Sequence, residues 1–182
     1  MSFAKHDIEE LIALCRDRNQ KAQFEVYNRY CKAMYNVALR IVKDAHYAED
    51  VMQEGFLKAF TKIGDYRQEV AFGAWLKRIV INYSIDYLKK TNAYKADDIE
   101  NVMYKVADEP AESEPDFTQL KTDQVLSAMN RLKDNYRMVL TLFYIEGYDH
   151  EEITEILNIS YANCRTTMSR AKESLRKQLQ QI

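Results

Sequence analysis

Between positions 146 and 152 the chain carries Glu146, Asp149, His150, Glu151 and Glu152, its densest group of side chains able to ligate a metal or move a proton. A structural metal site needs several such ligands at converging spacings, and no second histidine lies nearby. Asp149 and Glu152 have a competing assignment, as the two halves of a capping box at a helix start. No metal centre is expected, and no cofactor. The sequence offers no glycine-rich phosphate loop and no recognisable nucleophile motif, so no enzymatic activity or small-molecule substrate is expected either. Cys15, Cys31 and Cys164 are odd in number, far apart and without a CxxC pair, which points to reduced thiols rather than disulfides or zinc ligands.

The chemistry the residues do support is binding. In "YDHEEITEILNIS", Asp149 caps a helix that turns Ile153, Ile156 and Leu157 inward. Asn158 suits a positive φ at the turn, Ile159 plugs the angle, and Ser160 caps the next helix, which together lay out a helix-turn-helix. On the following helix Cys164, Met168, Ala171 and Leu175 form the inward stripe, leaving Ala162, Asn163, Arg165, Thr166, Ser169, Arg170 and Arg176 outward. From Ser160 to Ile182 five cations face one acid, a net charge of +4. Such a face suits the major groove of DNA, where side chains reach base edges and cations displace counterions.

Composition fits elements of this kind. Four glycines and two prolines in 182 residues, with 47% hydrophobic and 30% charged residues, favour a mostly helical globule. The net charge of −2 is unevenly spread. Between Thr91 and Gln119 eight acids oppose two lysines, a net of −6, so the remainder carries +4. That stretch also holds Pro110 and Pro115, the composition of a self-repelling linker. The expected fold is all-α: two small helical domains, 1–91 and 120–182, joined by a flexible acidic linker at 92–119. In the second domain Leu120, Leu126, Met129 and Leu132 suggest one helix. Val139, Leu140, Phe143 and Tyr144 suggest the next, closed by Gly147.

The first domain reads as four helices. Ile8, Leu11, Ile12 and Cys15 mark the first, and Phe24, Tyr27, Cys31, Met34, Ala38 and Ile41 mark the second. A third follows Asp44 as N-cap, and a fourth runs from about Phe72 to Lys90. On the third, "YAEDVMQEGFLKAF", Ala48, Met52, Gly55, Phe56 and Ala59 share the inward face, with Gly55 permitting close backbone packing. Asp50, Gln53, Glu54 and Leu57 share the outward face. Pattern alone leaves open whether that face is merely solvated or docks a basic partner with Leu57 as anchor. On the fourth, "FGAWLKRIVINYSIDYLKK", Trp75, Ile79 and Tyr83 line one side, Asn82 and Asp86 its edge, and Lys77, Arg78, Lys89 and Lys90 add charge. The preceding "DYRQEVAFGAW" is aromatic and basic, the combination that stacks unpaired bases and holds their phosphates. A core helix with a solvated basic edge is the alternative.

Taken in order, these segments resemble the extracytoplasmic-function sigma factors, the compact group of the sigma-70 family. "YAEDVMQEGFLKAF" is similar to the region two segment that binds core polymerase. "FGAWLKRIVINYSIDYLKK" is similar to the part that melts and reads the minus-ten element, and "YDHEEITEILNISYANCRTTMSRAKESLRKQL" to the region four helix-turn-helix that reads the minus-thirty-five element. The resemblance covers nearly the whole chain apart from the first residues and the linker. It implies that Asp50, Gln53, Glu54 and Leu57 contact the polymerase beta-prime coiled coil. Asn82, with the Tyr66 to Gly73 loop including Tyr66, Arg67 and Phe72, would hold an extruded base beside Trp75. Lys77, Arg78, Lys89 and Lys90 would manage backbone. Ser160, Asn163, Arg165, Thr166, Thr167, Ser169 and Arg170 would read the upstream element, Thr167 standing where the family usually has a cation.

The partners so implied are core RNA polymerase, through the beta-prime coiled coil and the beta flap, promoter DNA, and an anti-sigma factor as antagonist. The linker would thread toward the RNA exit channel. "MSFAKHDIEE" lacks the apolar run of a signal peptide and no stretch reaches the length of a membrane span, so a cytoplasmic protein is expected. Two other classes share parts of the pattern: a helix-turn-helix regulator that is not a polymerase subunit, and a helical interaction protein of the anti-sigma type. The first does not need the Asp50 to Leu57 face, and the second does not bind promoter DNA.

Overall fold

A computed structural model describes Phe3, residues 5–97 and residues 117–180, with backbone alone at 92–97 and 117–120. The chain divides into two units, Met1–Val106 and Ala107–Ile182. Every regular element among the described residues is helical. Residues 98–116, most of the expected linker, lie outside the described residues.

In the first unit α1 (Ile8–Arg16), α2 (Gln20–Val42), α3 (Ala45–Thr61) and α4 (Phe72–Asp97) are joined by short connections, with a 3₁₀ turn at Ile63–Asp65 after α3. Each of the first three starts where a short polar side chain can take up orphaned amides. Asp7 and Glu10 form a reciprocal capping box, with bonds of 2.8 and 3.3 Å. Asn19 accepts from the amides of Lys21 and Ala22, and Asp44 from that of Tyr47 at 3.0 Å. Lys43 ends α2 in the left-handed region at φ 59°.

Helices α2, α3 and α4 pack mutually, and α1 lies against α2 and the 3₁₀ turn. Their core holds Leu11, Ile12, Val26, Ile41, Leu76, Val80 and Ile81, all essentially inaccessible. Each large aliphatic side chain so buried contributes about 1.5–3 kcal/mol. The inward face expected for α3 is observed: Ala48, Met52, Gly55, Phe56 and Ala59 are buried, with Val51 beside them.

Two inward stripes differ from expectation. Phe24 is 65% exposed, because Ala22 and Val26 carry the start of the buried stripe of α2. A small alanine had less weight in the pattern than a large aromatic. In α4 the buried residues are Phe72, Leu76, Val80, Ile81, Ser84 and Ile85, while Trp75, Ile79 and Tyr83 are only half-buried. Apolar residues surround most of this helix, so periodicity alone could not choose the face. The buried Ser84 hydroxyl is satisfied by the Val80 carbonyl at 2.8 Å. The helix also runs past Lys90 to Asp97.

The second unit comprises α5 (Phe117–Asn130), α6 (Asp134–Leu140), a π turn at Thr141–Ile145, α7 (His150–Leu157) and α8 (Tyr161–Leu179). Helix α8 is the hub, packed by α5, α6 and α7. Its buried residues, Cys164, Met168 and Ala171, meet a core of Ala128, Met129, Leu132, Val139, Leu140, Leu142 and Ile153. Leu126 and Tyr144, expected inward, are 39% and 58% exposed. The π turn shifts the helical phase after Leu140, which a constant 3.6-residue period cannot register. Gly147 has φ +80°, as its expected closing role requires.

A Cβ built on Gly55 would lie 2.8 Å from Cγ2 of the fully buried Val80. Val80 is β-branched and stiff, so the helices would have to part. Gly55→Ala is expected to lower the unfolding midpoint, overpacking at about 1–3 kcal/mol outweighing the roughly 1 kcal/mol gain in helix propensity. Thermal melts followed by circular dichroism check this; a raised midpoint would show that the α3–α4 contact can open cheaply.

Candidate functional site

The helix-turn-helix is built by caps at both ends of a short turn. Asp149 accepts from the Glu152 amide at 2.8 Å and its own amide donates to the Glu152 carboxylate at 2.9 Å, the expected capping box. Asn158 adopts φ 54°, ψ 53°, and its amide donates to the Thr154 carbonyl, which also accepts from the Ile159 amide at 3.1 Å. Ser160 then caps α8 by accepting from the Asn163 amide at 3.2 Å. Half-buried Ile159 lies at the corner.

The turn leaves Asn163, Arg165, Thr166, Ser169 and Arg170 exposed on one side of α8. Arg165, Thr166, Ser169 and Arg170 line a shallow surface depression. Thr167 is half-buried on the flank and its hydroxyl donates to Oδ1 of Asn163 at 3.1 Å. Two cations leave the face. Lys172 lies 5.3 and 5.5 Å from the ring centres of Phe143 and Tyr144. Lys177 pairs with Glu173 at 2.9 Å, holding that exposed carboxyl below its usual range through the hydrogen bond and charge of the lysine. The cations that remain aimed outward near the turn are Arg165 and Arg170.

In the first unit, Asp50, Gln53 and Glu54 are exposed and Leu57 is 61% exposed, so the outward face of α3 is arranged as expected. Gln53 is steadied by a 3.3 Å bond to Glu49. On α4, Asn82, Lys89 and Lys90 are exposed, and Lys77 and Arg78 are half-buried. Arg67 is exposed in the loop.

Tyr66 and Phe72 require correction. Both are buried, at 6% and 3% exposure, so neither ring is available to stack a base as expected. They belong instead to a cluster with Tyr30 and Trp75, ring centres 5.3 to 5.7 Å apart. Aromatic residues in a loop suggest an exposed stacking platform, but here the loop folds back and its rings extend the core. Val70 is 54% exposed, an outward apolar side chain that the sequence does not mark, because Tyr66, Ala71 and Phe72 in the same loop are apolar too. Among the described residues no group of acidic, histidine or cysteine side chains could hold a metal, and no helix is long and apolar enough to cross a membrane.

The fold is thus that of a helical protein in two units, the second carrying a helix-turn-helix with a basic outer face. Residues 26–94 match Sigma-70 region 2, and residues 122–175 match Sigma-70, region 4. The chain is 33% identical over 156 residues to the ECF RNA polymerase sigma factor SigM of Bacillus subtilis (strain 168), covering 84% of this chain and 91% of that relative. It is 30% identical over 183 residues to SigW of the same organism, covering 96% and 98%. Among solved structures, the sigma factor RpoE from Bartonella quintana, in complex with the anti-sigma factor NepR, shares the fold. Its TM-score is 0.64 at 22% identity, over 86% of this chain and 95% of that one. The chain belongs to the ECF RNA polymerase sigma factors of the sigma-70 family.

The capping geometry gives a direct test. Ser160→Ala is expected to cost about 0.5–2 kcal/mol and to loosen the first turn of α8, whereas Ser160→Asn, which can still cap, should change stability by only a few tenths. Denaturant melts with hydrogen exchange at the Asn163 amide measure both; equal melts for the two variants would remove the cap from the account.

Proposed function

We propose that this chain is an alternative sigma factor that binds core RNA polymerase and directs initiation at promoters carrying a minus-ten and a minus-thirty-five element. The observation that carries the reading is the succession of a region two match and a region four match along one chain, each unit presenting a distinct outward face. Asp50, Gln53, Glu54 and Leu57 would dock the beta-prime coiled coil. An exposed leucine framed by carboxylates gains hydrophobic area on docking and selects a basic partner. The beta flap would be engaged by the second unit.

Arg165, Thr166, Ser169 and Arg170 would enter the major groove, with Asn163 and Ser160 near the N-terminus of α8 and Thr167 at the margin. Exposed Asn82, half-buried Trp75 and the loop bearing Arg67 would retain an extruded base of the non-template strand, at an unstacking cost of a few kcal/mol. Lys77, Arg78, Lys89 and Lys90 would hold the backbone beside it. The chain would supply no catalytic group, initiation chemistry belonging to the polymerase, and an anti-sigma factor would hold it inactive. Cytoplasmic residence follows from these partners.

The experiment is in vitro transcription from genomic DNA of the source organism with its purified core polymerase, and mapping of the transcript starts. New starts sharing two upstream elements support the reading; none, with core binding intact, refutes it. Leu57→Arg is expected to weaken core binding at least tenfold with an unchanged melting midpoint, because the side chain supports no core packing. Unchanged affinity would eliminate the docking face. Arg165→Ala should reduce promoter affinity by about tenfold and flatten its salt dependence, leaving core affinity alone. Titration of labelled promoter at several salt concentrations reads both effects.

A further inference from the structure

The segment between the 3₁₀ turn and α4 has no ladder or helix to hold its shape, yet two of its carbonyls are held by side chains. The Arg16 guanidinium, at the end of α1, donates from Nη2 to the Tyr66 carbonyl at 2.8 Å across fifty positions of sequence. The Tyr66 hydroxyl donates to the Val70 carbonyl at 2.7 Å, closing the loop on itself. Burial, reinforced by the charge of Glu9 and opposed by that of Arg16, pushes the Tyr66 phenol up from its ordinary range.

At the far end Phe72 packs edge-on against both Tyr30 and Tyr66, and a Cβ on Gly73 would approach the Tyr30 ring to 2.9 Å. Between these anchors Gln68 takes φ 62°, a left-handed conformation that costs a non-glycine residue on the order of 1 kcal/mol or more and persists only when its surroundings impose it. The consequence is that Arg67, Gln68, Glu69 and Val70 all face solvent on a loop whose ends are fixed.

We propose that Arg16 is a positioning residue for minus-ten reading, clasping the Tyr66 carbonyl so that the loop holds Arg67 and Gln68 in the shape that meets an extruded base. This rests on the reading of that loop given above. Arg16 is itself exposed, so replacing it opens no cavity and should leave the fold standing. The charge-assisted bond to a carbonyl is stronger than a neutral one and fixes direction as well as distance.

The test uses the full chain, core polymerase and a mapped promoter carrying each of the four bases in turn at the extruded minus-ten position. Discrimination is the ratio of transcript from the preferred template to that from the other three. Arg16→Met is expected to lower this ratio by about three- to tenfold, the size of one ordinary net hydrogen bond, with core affinity unchanged and cooperative unfolding retained at a modestly lower midpoint. Tyr66→Phe, which removes only the bond to Val70, should act in the same direction, and Arg16→Lys, which keeps a donor, should recover part of the ratio. A uniform loss on all four templates, or loss of core binding, would make Arg16 merely structural and overturn the proposal. Asn82→Ala and Gln68→Ala separate the two levels. If they change the ratio while Arg16→Met does not, the clasp is wrong and the loop reading stands. If none changes it, the loop reading is wrong and the clasp falls with it.

Discussion

The first unit is organised around a close approach of α3 and α4, with Gly55 of one against Val80 of the other. Without a Cβ on α3 the two backbones approach until a stiff β-branched side chain fills the gap, and this contact sets the rotation of both helices. Two residues further along an α-helix lies 200° round its axis, nearly opposite. Leu57 stands two residues beyond Gly55, and Asn82 two beyond Val80. The same close approach therefore turns the proposed polymerase anchor and the proposed base-holding residue outward on opposite flanks of the helix pair.

In the second unit the equivalent constraint is a turn rather than a contact. A left-handed Asn158, a half-buried Ile159 and a capping Ser160 leave the chain little freedom between α7 and α8. The angle they impose buries Cys164 and Met168 and presents Arg165, Thr166, Ser169 and Arg170 together. Lys172, drawn onto Phe143 and Tyr144, shows why net charge overstates the cations available to a groove.

Legibility in sequence followed how local the governing physics was. The Asp149–Glu152 capping box, the Asn158 turn and the inward face of α3 depend on residues a few positions apart, and these could be read from sequence. The inward face of α4 could not, because apolar residues occur on most of its circumference and only the neighbours α2 and α3 decide which are covered. Tyr66 and Phe72 differ from expectation for a related reason: the loop folds back so that Phe72 meets Tyr30, a partner tens of positions away, and Tyr66 packs on Phe72 and Trp75. The π turn removed Tyr144 from the core by a phase change that has no marker residue.

The hydroxyls of α8 carry a further implication for which bases the helix could prefer. The Thr166 hydroxyl donates its proton to the Ala162 carbonyl at 2.9 Å. While that bond holds, Thr166 can offer a partner only a lone pair, whereas Arg165 and Arg170 offer only protons. In the major groove lone pairs suit the amino groups of cytosine and adenine, and the arginine fork suits the paired acceptors of guanine. An internal bond that adds little to stability would thereby give the proposed reading helix a mixed alphabet, with acceptor and donors at fixed places along a single face.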